Sequence, residues 1–295
     1  MYYSINMDFL TFFQVTCNGI LTGMIYGQMA LALSVIYGVT RIINFAHGDM
    51  IVGAMLFLCM VSNTYIDNLY INFALILVIS VMAVFALQKA VFNHLRSKKD
   101  GVQFITMAAV SIILLNALLL IFGTDTVTLS TPITLQSLSV FSIPLNYGKL
   151  IGATTALITT ISLFIFFNKT YIGKAIKAVS INPKGAFLIG LNQQKILSLT
   201  SIIAGILIAV SALCLSFVID VSVQSAPDIT LLCFIIVIMG GLGSVPGTLL
   251  AGLLIGISES YVGYYISPLY KSLSGFMMLM IWLLLRAQGL QRKSA

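Results

Sequence analysis

The chain has 295 residues, 59% of them hydrophobic and 8% charged, with a formal net charge of +7 and a mean hydropathy of +1.07. Soluble domains carry about 25% charged residues, so the composition excludes a soluble enzyme and a basic nucleic-acid-binding module, and no nucleic acid is expected as a partner. What remains is an all-α polytopic membrane protein, a single transmembrane domain over 1–295. The alternating pattern of barrel strands is absent, and helices are the other way to satisfy the backbone in lipid.

The first apolar stretch runs to about residue 40 with no Lys or Arg before Arg41. It lacks the basic start of a cleavable signal and reads as a retained anchor. Gly19, Gly23 and Gly27 recur every four residues along it, the small-residue spacing that lets helices approach closely. The stretch breaks at "RIINFAHGDM", residues 41–50, which gathers Arg41, Asn44, His47 and Asp49 within nine positions. Two readings are open. In one, this is a short cytoplasmic turn whose Asn44 and Asp49 cap helix ends. In the other, Asn44, His47 and Asp49 face a polar conduit, because ionisable groups at membrane depth are costly unless they line a cavity or find partners.

Further apolar runs follow at about 70–92, 103–122, 150–167, 196–219 and 229–257, each long enough for the ~20 residues of a helical crossing. Basic residues collect between them in 93–100 (Arg96, Lys98, Lys99), in 168–195 (Lys169, Lys174, Lys177, Lys184, Lys195) and in the tail (Arg286, Arg292, Lys293). The segments near 63–70, 124–147 and 220–228 hold Asp67, Asp125, Asp220 and Asp228 without Lys or Arg. The positive-inside rule places the basic segments, and with them the C-terminus, in the cytoplasm. To return there after 220–228, the stretch 229–266 must form a hairpin or two broken spans before a last helix at about 268–286. About eight spanning helices are expected. Cys17, Cys59, Cys214 and Cys233 are scattered through apolar segments and read as small core residues.

Within the basic segment 168–196, Asn182-Pro183 is a helix-capping and first-turn pair and Gly190 a natural stop, so 183–189 is expected to form a short helix. Ala186, Phe187, Leu188 and Ile189 are too apolar for a solvated linker and suggest a docking knob for a partner protein. The other reading is a helix lying on the membrane surface, held by its lysines. Later, "MGGLGSVPGTLLAGLLIGISES" (239–260) brings together Gly240, Gly241, Gly243, Pro246 and Gly247, a combination that predicts a reversal or a discontinuous helix. Gly252 and Gly256 repeat the four-residue spacing, and Glu259, the single glutamate of the chain, joins the candidates for a translocation pathway. Two interrupted Gly-rich regions, one towards each end, point to a transporter. There is no GxxxxGK[ST], HExxH, GxSxG or His/Cys cluster, so neither ATP hydrolysis nor a bound metal or cofactor is expected of this chain.

Three stretches carry a family resemblance. "ALALSVIYGVTRIINFAHGDMIVGAM" resembles the opening motif of the H-type permease subunit of branched-chain amino acid ABC importers. "GGLGSVPGTLLAGLLIGISES" resembles that family's late Gly-rich motif, and "KAVSINPKGAFLIGLNQQKI" looks like its ATPase-coupling loop. The likeness covers about 9–290, and the wording from Ile43 to Gly48 favours the H type over the sister M type. The resemblance implies a permease of a bacterial inner membrane that carries Leu, Ile or Val. It implies an M-type permease partner, two cytoplasmic ABC ATPase subunits and an extracytoplasmic substrate-binding protein, with Asn182, Pro183, Phe187, Leu188 and Gly190 in the coupling loop. Urea and short-amide permeases share much of the same wording. From another class, a self-sufficient carrier would use His47, Asp49 and Glu259 as proton sites.

Overall fold

The structure, a computed structural model, describes residues 2–64, 68–129, 131, 137–140 and 143–293. Its long helices are α1 (Tyr2–Thr40), α3 (Leu69–Leu87), α5 (Asp100–Phe122), α6 (Tyr147–Lys169), α9 (Gln193–Ser216), α10 (Ala226–Gly240), α11 (Val245–Tyr265) and α12 (Lys271–Lys293). Shorter ones are α2 (His47–Thr64), α4 (Asn93–Leu95), α7 (Tyr171–Ile181) and α8 (Pro183–Leu188). A π-turn at Gln88–Phe92 joins α3 to α4 as one rod. Among the described residues, eight helices are long and apolar enough to cross a membrane, and α2 is shorter. The sequence did not suggest strands, yet a two-stranded antiparallel hairpin (Ser137–Val140 with Ile143–Asn146) precedes α6.

The centre of the bundle is α1. Its Gly23 lies so close to α11 that a Cβ there would sit 2.6 Å from Leu253 Cα, and Gly27 stands against Leu249 and Gly252. Gly19 meets Gly256 and Ile257, so the helices run antiparallel with backbone against backbone. Lipid tails remove the usual hydrophobic drive for helix association, and contact at this range supplies dispersion attraction in its place. Around α1 pack α6, α9 and α10. By contrast α5 and α12 leave most of their apolar surface bare.

The late Gly-rich stretch is a tight reversal between α10 and α11. Gly241 and Gly243 take φ of 88° and 84°, a region that L side chains rarely enter. Gly240 and Gly247 pack so closely that a Cβ on either would overlap the other's backbone. Pro246 falls in the first turn of α11, where its missing N–H is not needed, and Ser244 caps that turn by accepting from Gly247 N at 3.2 Å.

Charge sorts to the two ends of the bundle. At one end Arg96 donates to Gln193 Oε1 (3.3 Å) and Lys177 to Asn168 Oδ1 (2.7 Å). At the other, Val127 and Val221 exchange backbone hydrogen bonds, Thr128 donates to Asp220 (2.8 Å) and Asn63 to Thr128 O (2.9 Å). Residues 41–46 and α2 together run from Arg41, held to α7 at one end, to Asn63, held to Thr128 at the other. If the α1–α11 seam organises the bundle, Gly256→Val should abolish a folded, monodisperse protein in detergent. Overpacking a tight contact costs about 1–3 kcal/mol. Gly101→Ala, where a Cβ meets nothing within 4 Å, should leave thermal unfolding unchanged.

Candidate functional site

The stretch 41–50 is neither an exposed turn nor a simple cavity wall. Arg41 ends α1 with a φ of 59° and an N–H bond to Tyr37 O of 2.9 Å. This left-handed stop is uncommon for a residue with a side chain. Its guanidinium donates to Ser180 O at 2.8 Å, in the last turn of α7, where unpaired carbonyls favour a cation. From there the chain runs back beside α1. Ile42 and Asn44 are buried while Arg41 and Ile43 are exposed, the two-residue alternation of an extended segment.

His47 Nε2 donates to Met29 O at 3.1 Å. Met29 lies eleven residues before Thr40, roughly 16 Å back along the helix at 1.5 Å per residue. The turn reading is therefore corrected: 42–47 re-enters the bundle, with Ile42, Asn44, Ala46 and His47 buried in protein. Asn44 Oδ1 accepts from Ala46 N at 3.1 Å and bends the segment into α2. Gly48 N donates to Thr230 Oγ1 at 2.9 Å. A Cβ at Gly48 would overlap Ala226 O, so only glycine lets α2 dock on the first turn of α10.

The four pathway candidates fall in three places. Asn44 and His47 are fully buried, each with one nitrogen left without a partner. Asp49 accepts a 2.5 Å hydrogen bond from Ser111 of α5. Its other oxygen is buried and unpartnered, on the edge of an apolar cleft of about 680 Å³ between α2, α3, α5 and α9. Glu259 is 8% exposed and lies in a separate cavity of about 290 Å³ with Tyr26, Lys271 and Asp228. The Tyr26 hydroxyl lies against the Glu259 carboxylate. His47, Asp49 and Glu259 are thus not gathered into one site.

At the basic end, Ser34 accepts from Gly243 N at 3.1 Å and lies 3.3 Å from the Thr248 hydroxyl. A cavity of about 350 Å³ opens there between α1, α6, α7 and the Gly-rich reversal, with Gly38, Ser180 and Pro246 on its walls. Beside it, Asn182 Oδ1 caps α8 by accepting from Gly185 N at 2.9 Å, and Pro183 stands in the first turn. Gly190 ends the helix with a φ of 86°. Ala186 is buried, while Phe187, Leu188 and Ile189 are 67%, 84% and 76% exposed.

Sequence reasoning missed Tyr26, Ser111 and Lys271. Lys271 had a signal, a basic residue at the otherwise acidic end, shared with Lys149. Tyr26 and Ser111 had none, because their partners lie far along the chain. Among the described residues, no group of three or more His, Cys, Asp or Glu gathers around a point.

Residues 15–283 match the family described as the permease component of branched-chain amino acid transport systems. The high-affinity branched-chain amino acid transport system permease protein BraD of Pseudomonas aeruginosa is 26% identical over 296 residues, covering 95% of each chain. The corresponding permease protein LivH of Escherichia coli K12 is 26% identical over 298 residues and 96% of each chain. A probable branched-chain amino acid transport permease of Methanocaldococcus jannaschii is 28% identical over 251 residues, 82% of this chain and 78% of that protein. The solved structure of PsaBC from Streptococcus pneumoniae in complex with Fab shares the fold, with a TM-score of 0.51 at 15% identity across 96% of this chain and 95% of that one.

The Asp49–Ser111 bond is the polar tie between α2 and the loosely packed α5. Asp49→Ala and Ser111→Ala should each destabilise the protein, and the double variant by less than their sum. A coupling of about 1–2 kcal/mol is expected from unfolding in detergent. Strict additivity would show that the bond does not hold α5.

Proposed function

This chain belongs to the family of permease components of branched-chain amino acid transport systems, and we propose that it is the H-type membrane subunit of an ABC importer for leucine, isoleucine and valine. Its relatives are transport permeases, not enzymes, and it is a multi-pass membrane protein. In this reading ATP is hydrolysed by two separate ATPase subunits on the basic, cytoplasmic side, where the C-terminus also lies. A binding protein delivers substrate to the acidic end, and an M-type permease completes the membrane unit in a bacterial inner membrane.

The observation that carries the reading is a continuous mechanical path from the surface of α8 to the core. ATP hydrolysis elsewhere can move this subunit only by contact, and α8 offers Phe187 and Leu188 as exposed apolar knobs on a capped, stopped helix. The adjoining α7 holds Arg41 through Ser180 O. Arg41 is the residue at which the chain turns back, and the segment it leads ends on the Met29 carbonyl. A push on α7 and α8 thereby reaches the middle of α1 through Arg41 and the segment that ends on Met29 O. The almost wholly apolar lining of the cleft between α2, α3, α5 and α9 favours an aliphatic amino acid over urea.

Burying Phe187 in an ATPase groove would contribute about 1.5–3 kcal/mol. Phe187→Ala should lower transport at least tenfold in the reconstituted complex while the ATPases continue to hydrolyse ATP, and Arg41→Ala should do the same with the ATPases still bound. Full coupled uptake by both variants would contradict the path from α8 through Arg41.

A further inference from the structure

On the reading above, that the cargo is a hydrophobic amino acid, we propose that the Glu259 cavity is a binding site for the free zwitterion. Glu259 and the Tyr26 hydroxyl take the ammonium, Lys271 takes the carboxylate, and the aliphatic side chain lies among Met29, Ile229, Leu232 and Ile235. The cavity is bounded by α1, α9, α10, α11 and α12 towards the acidic end, where substrate would enter. Its volume of about 290 Å³ is at the small end of ligand cavities, roughly 300–1,000 Å³.

Three features set this cavity apart. First, it carries both signs of charge. Glu259 is buried with Tyr26 against it, and a buried carboxylate is costly unless a cation joins it. Lys271 is exposed and stands at the rim of the same cavity. The cleft at Asp49 has no cation on its walls and so nothing to hold a carboxylate.

Second, glycine contacts position the polar groups of the cavity. Glu259 stands three residues after Gly256 and Tyr26 three residues after Gly23, and Gly256 packs directly on Gly23. The same seam that joins α1 to α11 therefore sets the spacing of phenol and carboxylate. The stem of Lys271 lies across Gly263, where a Cβ would collide with its methylenes, so the glycine leaves room for the lysine to lie flat. Third, Met29 lines this cavity and its carbonyl holds His47. An occupant would rest on the residue that anchors the re-entrant segment.

The test uses the complete transporter in lipid nanodiscs and three ligands: leucine, 4-methylpentanoate without the ammonium, and 3-methylbutylamine without the carboxylate. The wild type should bind leucine at least tenfold more tightly than either analogue. Glu259→Gln should weaken leucine about tenfold and erase the preference over 4-methylpentanoate. Lys271→Met should erase the preference over 3-methylbutylamine and keep the other. Wild-type preferences in both variants, or an equal loss for all three ligands, would overturn the proposal.

Photolabelling of the wild type with a diazirine analogue of leucine needs no variant. Adducts on its lining residues, on α1, α9, α10, α11 or α12, support the site, and adducts confined to residues outside the cavity overturn it. If the wild type imports leucine and the variants keep both preferences, the cavity assignment fails and the importer reading stands. If the wild type neither binds nor imports any hydrophobic amino acid, the importer reading fails, and the cavity assignment with it.

Discussion

Everything in this molecule is arranged around the contact of α1 with α11, where two backbones meet through Gly19, Gly23, Gly27, Gly252 and Gly256. Each glycine costs a helix up to about 1 kcal/mol relative to alanine. The structure recovers that cost in close contact, which larger side chains on either helix would prevent. With α11 so near, α1 becomes the buried axis on which α6, α9 and α10 also pack. The seam also fixes where Tyr26 and Glu259 stand, so one packing code serves both assembly and the polar cavity.

The second constraint is that peptide groups in lipid must be paired or buried in protein. Residues 42–46 leave the helix and still return to the depth of Met29, so their polar groups need local partners. Thr40 supplies one to Ile42 N, Asn44 one to Ala46 N, and Thr230 one to Gly48 N. The polar residues of 41–50 thus hold a non-helical segment inside an apolar bundle. Arg41 adds the link outward to α7. The concentration of polar groups in this greasy chain has a structural cause before it has a transport role.

What was legible in the sequence was whatever depends on backbone chemistry over a few residues. The cap at Asn182, the stop at Gly190 and the reversal at Gly240 to Gly247 follow from rules that act within one or two turns. The four-residue glycine spacing announced close packing on both helices. It could not say that the two glycine faces meet each other, because spacing names a surface and not its partner. Charge sorting likewise separated the two ends correctly, since it acts on whole loops.

The candidate site was less legible. Asn44, His47, Asp49 and Glu259 share polarity, and from sequence they read either as one conduit or, for Asn44 and Asp49, as helix caps in a turn. The structure divides them, because a polar residue's role is set by what lies opposite it: Met29 O for His47, Ser111 for Asp49, Tyr26 for Glu259. Each partner is distant in the chain. The composite crossing of 41–46 with α2 escaped for a related reason, since an apolar run of ordinary length gives no sign that it starts at mid-depth. The most direct measurement is cysteine accessibility along this segment, in a chain whose four cysteines are replaced by alanine. Arg41→Cys should react with an impermeant maleimide from the cytoplasmic side, while Ile42→Cys and Asn44→Cys should stay unreactive from both sides. Uniform labelling of all three from the cytoplasm would show an exposed turn and contradict the re-entrant segment.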